Sequence, residues 1–294
     1  MIFVELCAGS AAVSLRWLSS KAKPPLSYQG GKRGYADAIL RAMGQAPGAG
    51  RGHEIVLCEP GPWGEAWEHW RTAEGRRDTC DRLEAWADED PRTLWERLRR
   101  AAVPDEAGER VATWAVLQFW SFGNKVVEPA GKRWIEHGFD PARPYRAEAK
   151  ERGAARGLDV SAWATESMRV PDLIAALQAL PPLHGLTVHR GTAQSLSPIP
   201  GALVYLDPPY EDTTGYGTAF PRAEVLATAQ RWREAGALVV VSEAEPLPLP
   251  GWHHHELGGS VGFGRTWSKQ RREVLTMSRA PSGQLGLPMR KERT

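Results

Sequence analysis

The run Ala202-Leu203-Val204-Tyr205-Leu206 stops at Asp207-Pro208-Pro209-Tyr210. An unbroken apolar stretch of this length reads as a fully buried strand. The two prolines end it, because neither can donate a ladder hydrogen bond. Left at the strand end are a carboxylate, free backbone carbonyls and an aromatic ring. Strands apolar on both faces belong to parallel sheets covered by helices, and such sheets bind ligands outside the carboxyl ends of their strands. This one segment therefore asks for an α/β fold with a site at the edge where Asp207 emerges.

The rest of the pattern agrees. Short β-branched runs predict strands at Ile2–Leu6, Ile55–Cys58, Thr187–His189, Ala202–Leu206 and Leu238–Ser242, with Trp252–Leu257 and Glu273–Met277 pairing as a closing hairpin. Helical patterns cover Ala11–Ser20, Gly34–Met43, Asp172–Leu180 and Arg222–Ala235, the last opened by Pro221 and closed by Gly236. From about Gly61 to Ala162 strand signals vanish, Trp and Arg become dense, and helices are expected at Arg92–Arg100 and Arg110–Phe119. The expected organisation is a catalytic domain from 1–60 and 163–280, a mostly helical insertion over 61–162, and a disordered basic tail over 281–294.

Length and composition place bounds on function. A chain of 294 residues, 42% apolar and 24% charged, suits an ordinary globular domain with its own core. No apolar run is long enough to span a membrane, and the chain enters its first strand without a leader, so a cytoplasmic, nucleoid-associated location is expected. Cys7, Cys58 and Cys80 lack metal-ligand spacing. His253-His254-His255 reads as a polar strand, since neighbours on a strand face opposite ways; no metal site is expected. The net charge of +2 announces no polyanion partner by itself. Between Pro141 and Gly157, however, Arg143, Arg146, Lys150, Arg152 and Arg156 outnumber Glu148 and Glu151. Alone, such a stretch reads as a solvated loop.

The second chemical signal is Phe3-Val4-Glu5-Leu6-Cys7-Ala8-Gly9-Ser10-Ala11-Ala12-Val13, a strand that turns at a glycine into a helix of small residues. Gly9 lets the backbone approach a bound group closely. Taken with Asp207-Pro208-Pro209-Tyr210, this resembles the Dam-like (D12) family of DNA adenine-N6 methyltransferases. Tyr28-Gln29-Gly30-Gly31-Lys32-Arg33 is similar to that family's Gly-Gly-Lys loop, and Trp120-Ser121-Phe122-Gly123-Asn124-Lys125 to a further family segment. The resemblance implies a Rossmann-like, seven-stranded methyltransferase sheet, S-adenosylmethionine (AdoMet) as cofactor, and double-stranded DNA whose target base is flipped out. It implies Asp207, Pro208, Pro209 and Tyr210 as catalytic residues. The implied cofactor residues are Glu5, Cys7, Ala8, Gly9, Ser10, Tyr28, Gly30, Gly31, Lys32, Glu59, Pro60, Thr192 and Asp207. The expected nucleic-acid contacts are Lys125, Arg143, Arg146, Lys150, Tyr216, Lys269 and Arg271.

The chain departs from the family in three places. Its Gly-Gly-Lys loop comes after the Glu5–Val13 motif instead of preceding it. Ala11 replaces a second glycine, a change expected only to narrow the turn. Gly191-Thr192-Ala193 stands where an acid often comes after the third strand, so Thr192 or a backbone amide would take over its contact. Chemically, an exocyclic amine can give one N–H to Asp207 and the other to the Pro208 carbonyl while its ring lies on Tyr210. The AdoMet sulfonium is itself electrophilic, so no metal is needed. Cytosine N4 offers the same amine, RNA carries the same bases, and a silent nucleic-acid-binding module would keep the fold without the chemistry.

Overall fold

The computed structural model describes residues 1–27, 31–141, 143–157, 168–210, 220–257 and 273–280. Strand β1 (Ile2–Leu6) turns into α1 (Ala12–Leu18), followed by α2 (Ala36–Ala42) and β2 (Glu54–Cys58). Four helices come next: α3 (Pro62–Trp70), α4 (Ala73–Glu84), α5 (Pro91–Arg100) and α6 (Ala107–Phe119). Their starts are built as sequence chemistry dictates. Thr72 accepts the Gly75 N–H at 3.0 Å and Asp90 the Thr93 N–H at 2.9 Å, each satisfying a donor that the helix leaves open. A small hairpin, β3 (Glu128–Ala130) and β4 (Arg133–Ile135), precedes α7 (Arg146–Ala155) and α8 (Val170–Gln178). The chain then returns to the sheet through β5 (Leu186–His189), β6 (Leu203–Leu206), α9 (Arg222–Glu234), β7 (Leu238–Glu243), β8 (His253–Glu256) and β9 (Val274–Met277).

Seven strands form one sheet in the order β5-β2-β1-β6-β7-β9-β8. All pairings are parallel except those of β9, which runs antiparallel between β7 and β8. Among the sheet strands alone the order reads 3-2-1-4-5-7-6. That is the doubly wound dinucleotide-binding order with one antiparallel strand slipped in near the edge. The fold is thus α/β and compatible with a Rossmann-like sheet. The order reverses at β1, so the crevice expected for such sheets opens between the carboxyl ends of β1 and β6.

Alternation along each strand divides the core into two layers. Phe3, Ile55, Leu57, Tyr205, Val240 and Leu275 face one side, packed with Leu15, Trp17 and Leu173 from the helices. Val4, Leu6, Val204, Leu206, Val239 and Val241 face the other, under Val225, Ala229 and Trp232 of α9. The first layer runs on into the insertion without a seam, through Trp63, Trp67, Trp70, Trp95, Trp114 and Trp120. Trp63 meets Trp114 edge to face at 5.0 Å between centroids, and Trp67 meets Trp70 at 5.7 Å. The tryptophan density of this region is therefore mostly core.

Expected strands and helices appear with ends shifted by one to a few residues. Two expectations need correction. The insertion contains the β3–β4 hairpin, whose three-residue strands are too short to show a period and whose turn is made by Gly131 at φ 60°. Most of the cationic stretch, Arg146–Ala155, is the helix α7 and not a loop: its alanines and long charged side chains are good helix formers. No helix among the described residues is long and apolar enough to cross a membrane. The expected tail, 281–294, lies outside the described residues.

Candidate active site at the sheet switch point

The turn after β1 is wound tightly. Cys7, Gly9 and Ala11 all have positive φ, at 57°, 45° and 50°. Glycine adopts this region freely, but Cys and Ala do so at a cost of about 1 kcal/mol or more each. Ala11 therefore strains the turn, where the sequence led us to expect narrowing alone. The surroundings hold it in place. Glu59, just past β2, accepts the Gly9 N–H at 2.9 Å and the Gly61 N–H at 3.1 Å. Trp67 of α3 donates its indole N–H to the Gly9 carbonyl at 2.8 Å. Ala8 and Ser10 are buried within the turn, and Cys7 is half-buried. Gly64 lies so close to Glu59 that a Cβ there would overlap the Glu59 carbonyl oxygen.

Glu5 points into the layer that contains α1. It is 3% exposed, and its carboxylate accepts the Ser14 N–H at 2.8 Å, capping the start of that helix. Burial pushes its pKa up to about 7 against the pull of the Ser14 contact. Glu5 thus supports the turn from beneath. Burial likewise raises the Glu59 carboxyl, with the Gly9 and Gly61 amides opposing, and raises the Cys7 thiol, aided by the charge of Glu59. Pro60, Thr192 and Gly31 are exposed.

Across the crevice, β6 delivers Asp207, tied to β1 by its own N–H on the Leu6 carbonyl at 3.2 Å. Its Oδ1 accepts the Ser242 hydroxyl at 2.9 Å, and Ser242 in turn shares a hydrogen bond with the Tyr205 hydroxyl at 2.8 Å. Lys32 reaches this carboxylate from the Gly-Gly-Lys loop. Its Nζ is 2.7 Å from Asp207 Oδ1 and 3.7 Å from Glu273 Oε1, and lies 4.8 Å from the centroid of the Tyr210 ring. Lys32 is only 5% exposed. Burial alone would pull its pKa down, but the charges of Asp207 and Glu273 outweigh that and hold the ammonium above its ordinary value. Tyr210 donates its hydroxyl to Glu273 Oε1 at 2.5 Å. The Gly-Gly-Lys loop therefore ends at the same carboxylate as the strand-end motif, despite the inverted order of the motifs.

Glu273, Glu243, Ser242 and Tyr205 are site residues that the sequence reading missed. Glu243 ends β7 at the same sheet edge, and burial pushes its pKa up to about 7. Glu273 precedes β9, and an antiparallel strand begins where its parallel neighbours end; burial raises its carboxyl while Lys32 lowers it. The edge position of both acids is set by strand direction: Glu243 comes at the carboxyl end of the parallel strand β7, and Glu273 just before the start of the antiparallel β9. Tyr205 alternates onto the face of β6 that meets Ser242 on β7.

Among the expected nucleic-acid contacts, Arg143 sits differently. It is 8% exposed, donates to the Phe119 carbonyl at 2.5 Å and to the Asn124 side chain, and pairs with Asp140 at 3.3 Å. Burial lowers its pKa, with Asp140 opposing. Arg143 is a buttress for the turn at Gly123 and Asn124, not a surface cation. Lys125, Arg146 and Lys150 are half-buried, and Arg146 contacts the Met168 sulfur at 2.9 Å. Tyr28, Gly30, Tyr216, Lys269 and Arg271 lie outside the described residues. His254, in the histidine run, contacts the Leu247 carbonyl at 3.1 Å.

No protein-family model matches the chain, and no curated protein matches it.

Proposed function

We propose that this protein is an AdoMet-dependent methyltransferase acting on an exocyclic base amine, with adenine N6 in duplex DNA as the target. The observation that carries the reading is the meeting of three separate segments at one switch point. They are the strained turn Cys7–Ala11, the strand end Asp207–Tyr210, and Lys32 at 2.7 Å from Asp207. Seven strands with a single antiparallel member agree with the methyltransferase variant that the sequence resemblance implies.

The residues at the β1 and β2 ends suit the cofactor. Glu59 uses one lone pair of each oxygen on Gly9 and Gly61, leaving acceptor capacity for ribose hydroxyls. The Gly9–Ser10 turn would lie along the amino-acid part, and Thr192 beside the base. When bound, AdoMet supplies an electrophilic methyl group.

The protein's share of the chemistry is positioning and charge. Adenine in a duplex is out of reach, so the base must be flipped at a cost of a few kcal/mol. Tyr210 offers a ring against which it stacks. Asp207 accepts one amine N–H and the Pro208 carbonyl the other. Those two acceptors favour a pyramidal nitrogen and offset the positive charge that develops on it. Ser242 and Lys32 fix the Asp207 carboxylate, and Pro209 stiffens the turn that carries Tyr210. Cytosine N4 fits the same acceptors and is the competing target.

Methyl transfer is tested with AdoMet labelled on its methyl group and a mixed-sequence duplex. Label should enter DNA with the intact protein and not with Asp207→Ala, while both bind AdoMet by calorimetry. Equal labelling by the two proteins would sink the reading.

A further inference from the structure

The ion pair in the pocket presents a recognition pattern. Asp207 is an acceptor whose Oδ1 is held by Ser242 and by Lys32 Nζ, which leaves Oδ2 to receive an N–H, and Lys32 Nζ beside it is a donor. An amine and the ring nitrogen beside it, both bonded to one carbon, present the complementary order: donor, then acceptor. Adenine shows this pair at N6 and N1, cytosine at N4 and N3. On its Watson–Crick edge guanine places an N–H, not an acceptor, next to its amine, its N3 acceptor lying on the sugar side, and thymine has no amine. Enzymes that flip bases read them by hydrogen bonds to this Watson–Crick edge.

Resting on the methyltransferase reading above, we propose that Lys32 is a specificity-determining residue, donating to the ring nitrogen beside the amine that Asp207 holds. Together the two side chains then act as a reader of amidine edges. Several features suit the role. Lys32 is enclosed, with Asp207, Glu273 and the Tyr210 ring around it, so a hydrogen bond there is little weakened by water. Asp207 and Glu273 keep its ammonium charged, and therefore a donor that cannot accept, at neutral pH. Tyr210, whose hydroxyl is anchored on Glu273, sets the plane in which the ring must lie. A guanine presented by its Watson–Crick edge would turn the N–H beside its amine toward the ammonium, leaving two donors face to face. The pair thus accepts adenine and cytosine and rejects guanine, with pocket size left to separate the first two.

The test replaces the ring nitrogen by C–H at the methylated position: 1-deazaadenine for adenine, or 3-deazacytosine if cytosine is the target. Initial kcat/KM is measured for each substrate with the native protein, Lys32→Met and Lys32→Arg. The native protein should lose about tenfold or more on the deaza base, the value of one good hydrogen bond. Lys32→Met should lose activity on the natural base yet no longer distinguish the two. Lys32→Arg, which keeps a charged donor, should retain most of the discrimination and guards against a mere folding defect. Native enzyme that methylates both bases equally, or Lys32→Met that discriminates as strongly as native, overturns the role of Lys32 while leaving methyl transfer intact. Absence of methylation on the natural base as well would overturn both readings.

Discussion

The Trp67 indole N–H on the Gly9 carbonyl, at 2.8 Å, ties the first helix of the insertion to the turn after the first strand. The insertion is therefore part of the scaffold of the site as well as an appendage beside it. Trp67→Phe keeps most of the ring but leaves a buried carbonyl without its donor, a loss of about 1–3 kcal/mol. Chemical denaturation should show that loss. Calorimetry should show weaker AdoMet binding, because the turn it frees is the one assigned to the cofactor. Unchanged affinity would detach α3 from the site.

Ala11 sits at φ 50° and ψ 36°, where a side chain is unwelcome. Ala11→Gly should stabilise the protein by about 1 kcal/mol, since relief of left-handed strain outweighs the added freedom of the unfolded chain. A rise in melting temperature of a few degrees is the expected readout. A fall would mean that the alanine methyl, which is fully buried, contributes more by packing than it costs in strain.

Glu5 gives a pH dependence of defined sign. Its pKa is about 7 in the folded chain, against an ordinary 4.5. The folded state thus holds a proton that the unfolded state has released, and stability falls as pH rises from about 4.5 to 7. The share of Glu5 is on the order of 3 kcal/mol. Glu5→Gln still offers an oxygen to the Ser14 N–H but cannot ionise, so it should flatten the decline between about pH 4.5 and 7. Denaturation curves at several pH values decide this; an unaltered slope would show that Glu5 is ionised at little cost.

Much of the sheet was legible in the chain because strands in a covered parallel sheet are nearly continuous apolar runs. Ile2–Leu6 and Leu203–Leu206 stand out against any polar surroundings, and the chemical groups sit immediately after each of them. Convergence was harder to see. Lys32 reaches Asp207 from a sequence distance that no local pattern spans, and Glu273 and Glu243 join only once β9 is known to run against β7. Arg143 misled for a similar reason: a cation in a basic stretch looks exposed until Phe119 and Asn124 are folded onto it. The cost of Ala11 lies in its backbone conformation, which the size of its side chain does not reveal.

The central claim is tested most directly by nucleoside mass spectrometry of duplex DNA incubated with the protein and AdoMet, alongside Asp207→Ala. N6-methyladenine is predicted with the intact protein and none with the variant. N4-methylcytosine would keep the site and change the base. DNA of varied sequence left without any modified nucleoside, by protein shown to be folded, would contradict the assignment of this site to methyl transfer.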